Sequence, residues 1–441
     1  MVLVDSAASS TDIDTAAGDG ELQHLTLFEW ETKHLPLSDA LARRLGQTKW
    51  VSVQPDVEPG WWRVSAQQWV GAFTVGDLRV IVRPKIKPEN LFVLLEVGLP
   101  YEAWRQEAFH YASTDELLPA LVSFFARTAE TTLARGLFHH YRHEEDDLLA
   151  LRGRIDFVRQ FRRGGVLVPM ACAWDDFTAD VDENRCLQTA ARQALRVPDV
   201  PDDDRRRLRR LLASLDGVAE PTVPAALDCL DRVQFTRLNE HYRPALKLAR
   251  LILANFTLQD RHGDTAASAF MLDMNQLFED FVTARLQRAL RGKLEVAPQR
   301  RLYLDVEDQV QIRPDLTFRR AGETVGVADV KYKFTAEDSR FASGETAGRH
   351  GDYYQLLAYT TALDLSEGTL IYCADASEVE STSQQASTGS LATSTITVKN
   401  IGKRLHAAAI DLSGSPGDID AQITALANHL SAANSFAETE P

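Results

Sequence analysis

Cysteine is scarce in this 441-residue chain. Cys172, Cys186, Cys229 and Cys373 are its only four, widely scattered and without a CxxC pair. That spacing argues against a zinc ribbon and against an iron–sulfur cluster with closely spaced ligands. It fits a reducing, cytoplasmic setting. Long apolar runs are also missing: the longest, such as "LFVLLEVGL", are too short to span a bilayer, so no membrane association is expected. No GxxxxGK[ST] occurs, so the chain has no P-loop of its own. Positive charge is in deficit. Lys and Arg number 48 against 63 Asp and Glu, a formal net charge of -15. Such a balance works against indiscriminate binding to nucleic acid or an anionic membrane. A local basic groove remains compatible with it. The opening "MVLVDSAASSTDIDTAAGDG" lacks a basic n-region and reads as a disordered lead-in over residues 1–20.

What is present suits a globular protein. Hydrophobic residues make up 44% and charged residues 25%, enough for a sizeable core in two or three domains. The expected class is α+β and multidomain. Residues 21–100 read as a small β-rich domain: "KWVSVQPD", "WWRVSA" and "DLRVIVRPKI" are short β-branched or aromatic runs broken by Pro, Gly and Asp. Pro84 suggests a strand end or an edge strand. Trp61, Trp62 and Trp69 suggest a small aromatic core, or else an anchor for a partner.

Residues 101–268 read as mainly helical. "ELLPALVSFFARTAETTLARGL" and "HYRPALKLARLILANF" carry apolar residues at helical spacing, with Gly136 a plausible stop for the first. The run Arg205, Arg206, Arg207, Arg209 and Arg210 reads first as a solvated face and second as a phosphate-contacting patch. From 269 to 441 the order is helix, three strands, helix, strand, which predicts an α/β sandwich around one mixed sheet. Asp273 and Gln276 have capping-box spacing at its first helix. The segment "ASEVESTSQQASTGSLATST" reads as a loop.

Within that last region, "IRPDLTFRRAGETVGVADVKYKF" folds on paper as two strands about a turn at Gly322. In the second strand Val325, Val327, Asp329 and Lys331 share one face. A hairpin symmetric about Gly322 sets Asp315 opposite Asp329. Directly opposed like charges are destabilising, so a divalent cation between the two carboxylates is one explanation. A bulge that breaks the register, or a wet face, is the other. Glu279 borders the apolar stripe of the preceding helix (Phe278, Phe281, Val282, Ala289) and could face the sheet. Gln355 and Tyr359, at i,i+4, share a helix face.

The order Glu279, Asp315, Asp329, Lys331, Gln355, Tyr359 resembles the PD-(D/E)XK nuclease fold, in the variant with a helical glutamate before it and a QxxxY helix after it. "RPD" supplies Pro314 and Asp315; "ADVK" supplies Asp329 and Lys331. The resemblance implies metal-dependent phosphodiester hydrolysis. Asp315, Asp329, Glu279 and the Val330 carbonyl would hold Mg²⁺, with Mn²⁺ as a substitute. Lys331 would orient the attacking water, and Gln355 and Tyr359 would support the site.

Further stretches are similar to a narrower family. "ARGLFHHYRHEEDDLLALRGRIDF", "CAWDDFTADVDENRCLQTA", "HYRPALKLARLIL", "FMLDMNQLFEDFV" and "RVIVRPKI" look like McrC, the nuclease subunit of the McrBC modification-dependent restriction system. The likeness spans roughly residues 70 to 375. It implies a C-terminal part that cuts double-stranded DNA and an N-terminal part that docks on a hexameric AAA+ GTPase ring and stimulates its hydrolysis. Recognition of modified cytosine would belong to that partner, in keeping with the missing P-loop. Residues 61–87 and 142–154 are the stretches suspected of touching the ring; Arg152 and Arg154 in "RGRIDF" could equally be structural. A regulatory subunit without nuclease activity and a stand-alone RecB-like nuclease are the competing readings.

Overall fold

A computed structural model of the chain describes residues 23–95, 117–164, 166–259, 267–332, 347–374 and 391–433. The lead-in of residues 1–20 and residues 376–390 of the Ser/Thr-rich segment lie outside the described residues. The chain packs as two compact units: residues 23–95 with everything from Met271 onward form one, and residues 117–270 the other. The result is a mixture of helices and several sheets.

In the first unit, β1 (Gln23–Phe28), β2 (Thr32–Pro36), α1 (Asp39–Gly46), β3 (Val51–Pro55), β4 (Trp61–Ala66), β5 (Trp69–Val75), β6 (Leu78–Arg83) and α2 (Pro88–Leu94) follow in order. Strand β6 ends where Pro84 removes the next ladder donor. It pairs parallel with β1 and antiparallel with β5. Strands β2, β4 and β3 form a separate antiparallel sheet. Its core is aliphatic: Leu35, Leu45, Val51, Val64 and Ala66 are buried. Trp61, Trp62 and Trp69 are only half-buried, so the aromatic-core reading is corrected. Trp69 instead carries the Lys49 ammonium 4.5 Å above its ring.

The second unit contains α3 (Leu117–Leu133), β7 (His140–Leu148), β8 (Arg154–Ile155), α4 (Phe157–Phe161), β9 (Met170–Thr178), α5 (Asp182–Ala194), α6 (Asp202–Ser214), α7 (Val223–Arg232) and α8 (Arg243–Asn255). Helix α8 runs into β10 (Phe256–Gln259), which pairs with β11 (Ala267–Asp273). Helices dominate, but the stretch from 140 to 178 is a sheet that the helical reading missed. Strand β7 pairs with β9 from His140↔Thr178 to Leu148↔Met170. Its sequence, "HYRHEEDDL", has no apolar alternation. The backbone ladder and polar contacts hold it instead, with His143 Nδ1 2.9 Å from Asp175 Oδ1 on the facing strand and Arg159 of α4 2.8 Å from Asp147. Gly153, at φ +68°, lies so close to the ribbon that a Cβ would fall 2.4 Å from the Ala173 carbonyl oxygen. Arg152 bonds Asp176 at 2.9 Å and stacks over Trp174. These contacts make Arg152 part of the ribbon's own framework.

Four of the five arginines of the run in α6 have partners within the chain. Arg205 donates to the carbonyls of Leu195, Val197 and Val200. Arg207 and Arg210 both bond Glu130, and Arg206 bonds Asp203. These contacts favour the solvated-face reading for four of the five arginines; Arg209 is exposed.

The rest of the first unit comprises α9 (Met274–Ala289), β12 (Glu295–Pro298), β13 (Leu302–Tyr303), β14 (Gln311–Ile312), β15 (Leu316–Arg320), β16 (Glu323–Lys331), α10 (Ala347–Ala362), β17 (Glu367–Ala374), β18 (Ala392–Thr397), β19 (Arg404–Asp411) and α11 (Pro416–Ala433). Six strands form one mixed sheet, ordered β12-β15-β16-β17-β19-β18. The pairs β16–β17 and β17–β19 are parallel; the other three are antiparallel. Helix α10 covers one face, where Leu356 and Tyr359 pack with Val327, Leu370, Tyr372 and Leu405. On α9, Phe278, Phe281, Val282 and Leu286 are fully buried, with Phe278 against Tyr332. Ala289, expected in that stripe, is exposed, and Leu290 is buried instead. Asp273 caps α9 through the Asn275 N–H, while Gln276 turns to Asp280 and leaves the capping box half made.

Candidate active site

The hairpin carries the site, and its turn differs from the symmetric one expected. Arg320 pairs with Glu323 across a two-residue turn, Ala321 and Gly322, at φ +50° and +92°. Two positive φ values in succession are what a tight hairpin needs to match the strand twist. The pairing would then be off by one residue, but it shifts between Phe318 and Arg319, leaving Val325 as an extra residue. Beyond this bulge the pairs are Phe318↔Gly326, Thr317↔Val327 and Leu316↔Ala328. One further step brings Asp315, just ahead of β15, level with Asp329.

Pro314 interrupts the strand pairing at Asp315. Residues 313–315 separate β14 from β15, and β13 with β14 forms a small ribbon outside the main sheet. Asp315 is thereby freed from the ladder. Its Oδ2 accepts the Val330 N–H at 2.9 Å. Val330 thus meets the cluster through its amide.

Asp329 is wholly buried. Lys331 Nζ lies 2.7 Å from Asp329 Oδ2 and 3.9 Å from Asp315 Oδ2. The contact with Oδ2 is one of charge, its angle short of a directional hydrogen bond, and Asp329 Oδ1 has no hydrogen-bond donor among the described residues. Burial, then the charge of Asp315, pushes the Asp329 carboxyl up to about 7 against the pull of Lys331. Burial works against the Lys331 charge, but Asp329, Asp315 and Asp352 outweigh it and raise the ammonium's pKa.

Glu279 comes from α9, half-buried, and reaches Asp315 through an intermediary. The Gln299 side-chain amide donates to Glu279 Oε1 and, at 3.0 Å, to Asp315 Oδ1. Burial, assisted by Asp315 and Asp280 and opposed by the Gln299 bond, pushes Glu279 up to about 7. On α10, Gln355 donates to the Tyr359 hydroxyl at 2.6 Å, and that hydroxyl donates to the Arg313 carbonyl at 3.4 Å. Gln355 and Tyr359 therefore hold the turn ahead of Asp315.

Two residues escaped the sequence reading. Gln299 follows β12, an edge strand that was not predicted, and no periodicity marks it. Asp352 is buried on α10 and accepts the Tyr372 hydroxyl at 3.1 Å. Its signal was available, because positions 352, 355 and 359 share one helix face.

Among the described residues no three His, Cys, Asp or Glu side chains converge on a ready-made cation cage. The residues present still fit a hard cation of the Mg²⁺ type, which needs only one or two carboxylates and otherwise keeps water. The buried Asp329 oxygen without a donor is the observation that favours it, since an uncompensated buried acceptor is costly. No described helix is long and apolar enough to cross a membrane.

Comparisons with known proteins follow the same line. The family described as "McrBC 5-methylcytosine restriction system component" matches residues 64–373. Among solved structures, one chain comes from a half-complex of a tetradecameric assembly of Thermococcus gammatolerans McrB AAA+ hexamers with bound McrC. It is 19% identical, with 92% of this chain and 100% of that chain covered and a TM-score of 0.51, a likeness of fold. A chain of the Thermococcus gammatolerans McrBC complex is 22% identical over 60% of this chain and 88% of that one, with a TM-score of 0.40. No curated protein matches. With well over half its length matched, the chain belongs to the McrBC 5-methylcytosine restriction system component family.

Proposed function

We propose that this chain is the DNA-cleaving subunit of a modification-dependent restriction system, with a PD-(D/E)XK-type site in its C-terminal region. The observation that carries this reading is Asp329. A fully buried carboxylate with an oxygen that no donor among the described residues serves, placed beside Asp315 and Lys331, is expensive to maintain for structure alone. Asp315 and Asp329 would hold Mg²⁺, or Mn²⁺, with Glu279 and the Val330 carbonyl completing the set. Bound there, the cation supplies charge for the phosphate and lowers the pKa of a water. Lys331 presents its ammonium where that water and a phosphate oxygen would meet. Gln355 and Tyr359 keep the 313–315 turn in place.

Partner docking is assigned to the ribbon of β7–β9 and its tip. Leu149, Phe161 and Leu167 there are 82%, 77% and 76% exposed. Apolar side chains so exposed mark an interaction surface. The occupant in this reading is the AAA+ GTPase ring, whose hydrolysis the chain would stimulate, acting on double-stranded DNA with modified cytosine.

The test is cleavage of modified DNA by Asp329→Ala and Lys331→Ala chains assembled with the ring. Loss of cleavage by roughly 10³-fold or more, with ring binding and GTPase stimulation retained, is expected. Wild-type cutting by either variant would end the reading. A second reading, a regulatory subunit without cleavage, is favoured by the lack of a third converging acid among the described residues. It predicts no Mn²⁺ uptake by the purified chain.

A further inference from the structure

We propose that Gln299 is a positioning residue that ties the helix glutamate Glu279 to the site aspartate Asp315. The inference rests on the nuclease reading and extends it to a residue outside the acid-and-lysine set. Glu279 and Asp315 sit on separate elements, and as carboxylates they repel. A primary amide has two N–H donors. Here the one amide nitrogen of Gln299 serves Glu279 Oε1 and Asp315 Oδ1 together.

The backbone holds that amide in place from both sides. The Gln299 N–H donates to the Asp315 carbonyl at 2.9 Å, and the Gln299 carbonyl accepts Arg313 Nε at 3.1 Å. Just before it, Pro298 pairs with Leu316, so the end of β12 runs alongside the entry to β15. Gln299 itself lies at φ +50°, a left-handed conformation that side-chain-bearing residues adopt where their surroundings over-determine it.

The residue type matters as much as its place. A lysine at this point would also donate to both acids, but its charge would compete with a divalent cation. A glutamate would add a third repulsion. A neutral double donor steadies the two carboxylates and leaves their remaining lone pairs free for a cation. Partners of this kind set ligand orientation and are felt in metal affinity.

Gln299→Met keeps the bulk and removes the donors. Titration calorimetry of Mn²⁺ into the full chain should show binding weakened by roughly 10- to 100-fold. The melting temperature in EDTA should stay within about 3 °C of wild type, as expected if packing is untouched. A loss in Mn²⁺ affinity below about tenfold would overturn the proposal while leaving the nuclease reading intact. So would a larger fall in the EDTA melting temperature, which would make Gln299 a structural residue. A wild-type chain that takes up no Mn²⁺ would instead sink the nuclease reading, and this extension with it.

Discussion

Asp329 and Lys331 stand two residues apart on one face of one strand, with Lys331 Nζ 2.7 Å from an aspartate that has no exposed surface. Strand periodicity puts the two groups on the same side, and burial makes their charges expensive. Burying the pair therefore costs stability, a cost that the proposed metal site would account for.

That cost is measurable. The Asp329 carboxyl is pushed from 3.8 up to about 7, so the folded chain binds its proton more tightly than the unfolded chain does. The penalty is absent below pH 3.8, grows as pH rises, and is complete above about 7. Asp329→Asn removes it. In EDTA at pH 8 the variant should be more stable by about 1–3 kcal/mol, with the difference vanishing toward pH 4. Denaturant unfolding at the two pH values checks this.

A second buried acid makes an independent prediction. Glu29 is fully buried, with Tyr332 donating to it at 3.4 Å, and burial pushes it up to about 8 against the help of Tyr332 and Lys85. Its raised pKa again means stability lost as pH climbs from 4.5 through about 8. Glu29→Gln should flatten that decline, raising stability at pH 8.5 by about 2 kcal/mol or more and changing little at pH 5. Parallel thermal melts across this window would show the two curves diverging.

Gly368 sets how closely α10 sits on the sheet. A Cβ there would lie 2.7 Å from Thr360 Cγ2 and 2.9 Å from Leu356 Cδ1. Gly368→Ala should cost about 1–3 kcal/mol by overpacking. Because Gln355 and Tyr359 ride on the same helix, cleavage should fall along with stability. Melting temperature and cleavage rate, measured on one preparation, decide whether the two move together.

The ribbon tip should behave in the opposite way. Leu149→Asp and Phe161→Asp alter exposed positions, so stability should change by no more than about 0.5 kcal/mol. Ring binding should drop by at least about tenfold if these apolar groups are buried on docking. Affinity measured with the purified GTPase ring tests the assignment without reference to cleavage.

Much of this was readable from the residues, for reasons that differ by region. Strands β4 and β6 and helices α3, α8 and α9 are strongly patterned, and the structure has them where the pattern put them. The β7–β9 ribbon was hidden because β7, "HYRHEEDDL", is polar along nearly its whole length and leaves no apolar alternation to read. The "RRLYLDV" run was taken for a sheet strand, yet only Leu302 and Tyr303 pair, and with a side ribbon. The true edge strand, Glu295–Pro298, is too short to announce itself. In the site, strand periodicity put Asp329 and Lys331 on one face, and a hairpin assumed symmetric about Gly322 set Asp315 opposite Asp329; the real turn is one residue out, and the bulge at Val325 restores that pairing. Gln299 could not be placed in this way, since its role depends on a carbonyl, an arginine and two acids that meet only after folding.

The extra residue at Val325 separates two kinds of freedom in the hairpin. On its far side, the one-residue offset of the Ala321–Gly322 turn is absorbed before it reaches Gly326. On its near side, a single inserted or deleted residue would rotate every following side chain to the wrong surface. The stem from Gly326 to Lys331 is therefore where the spacing of the chain must be left alone.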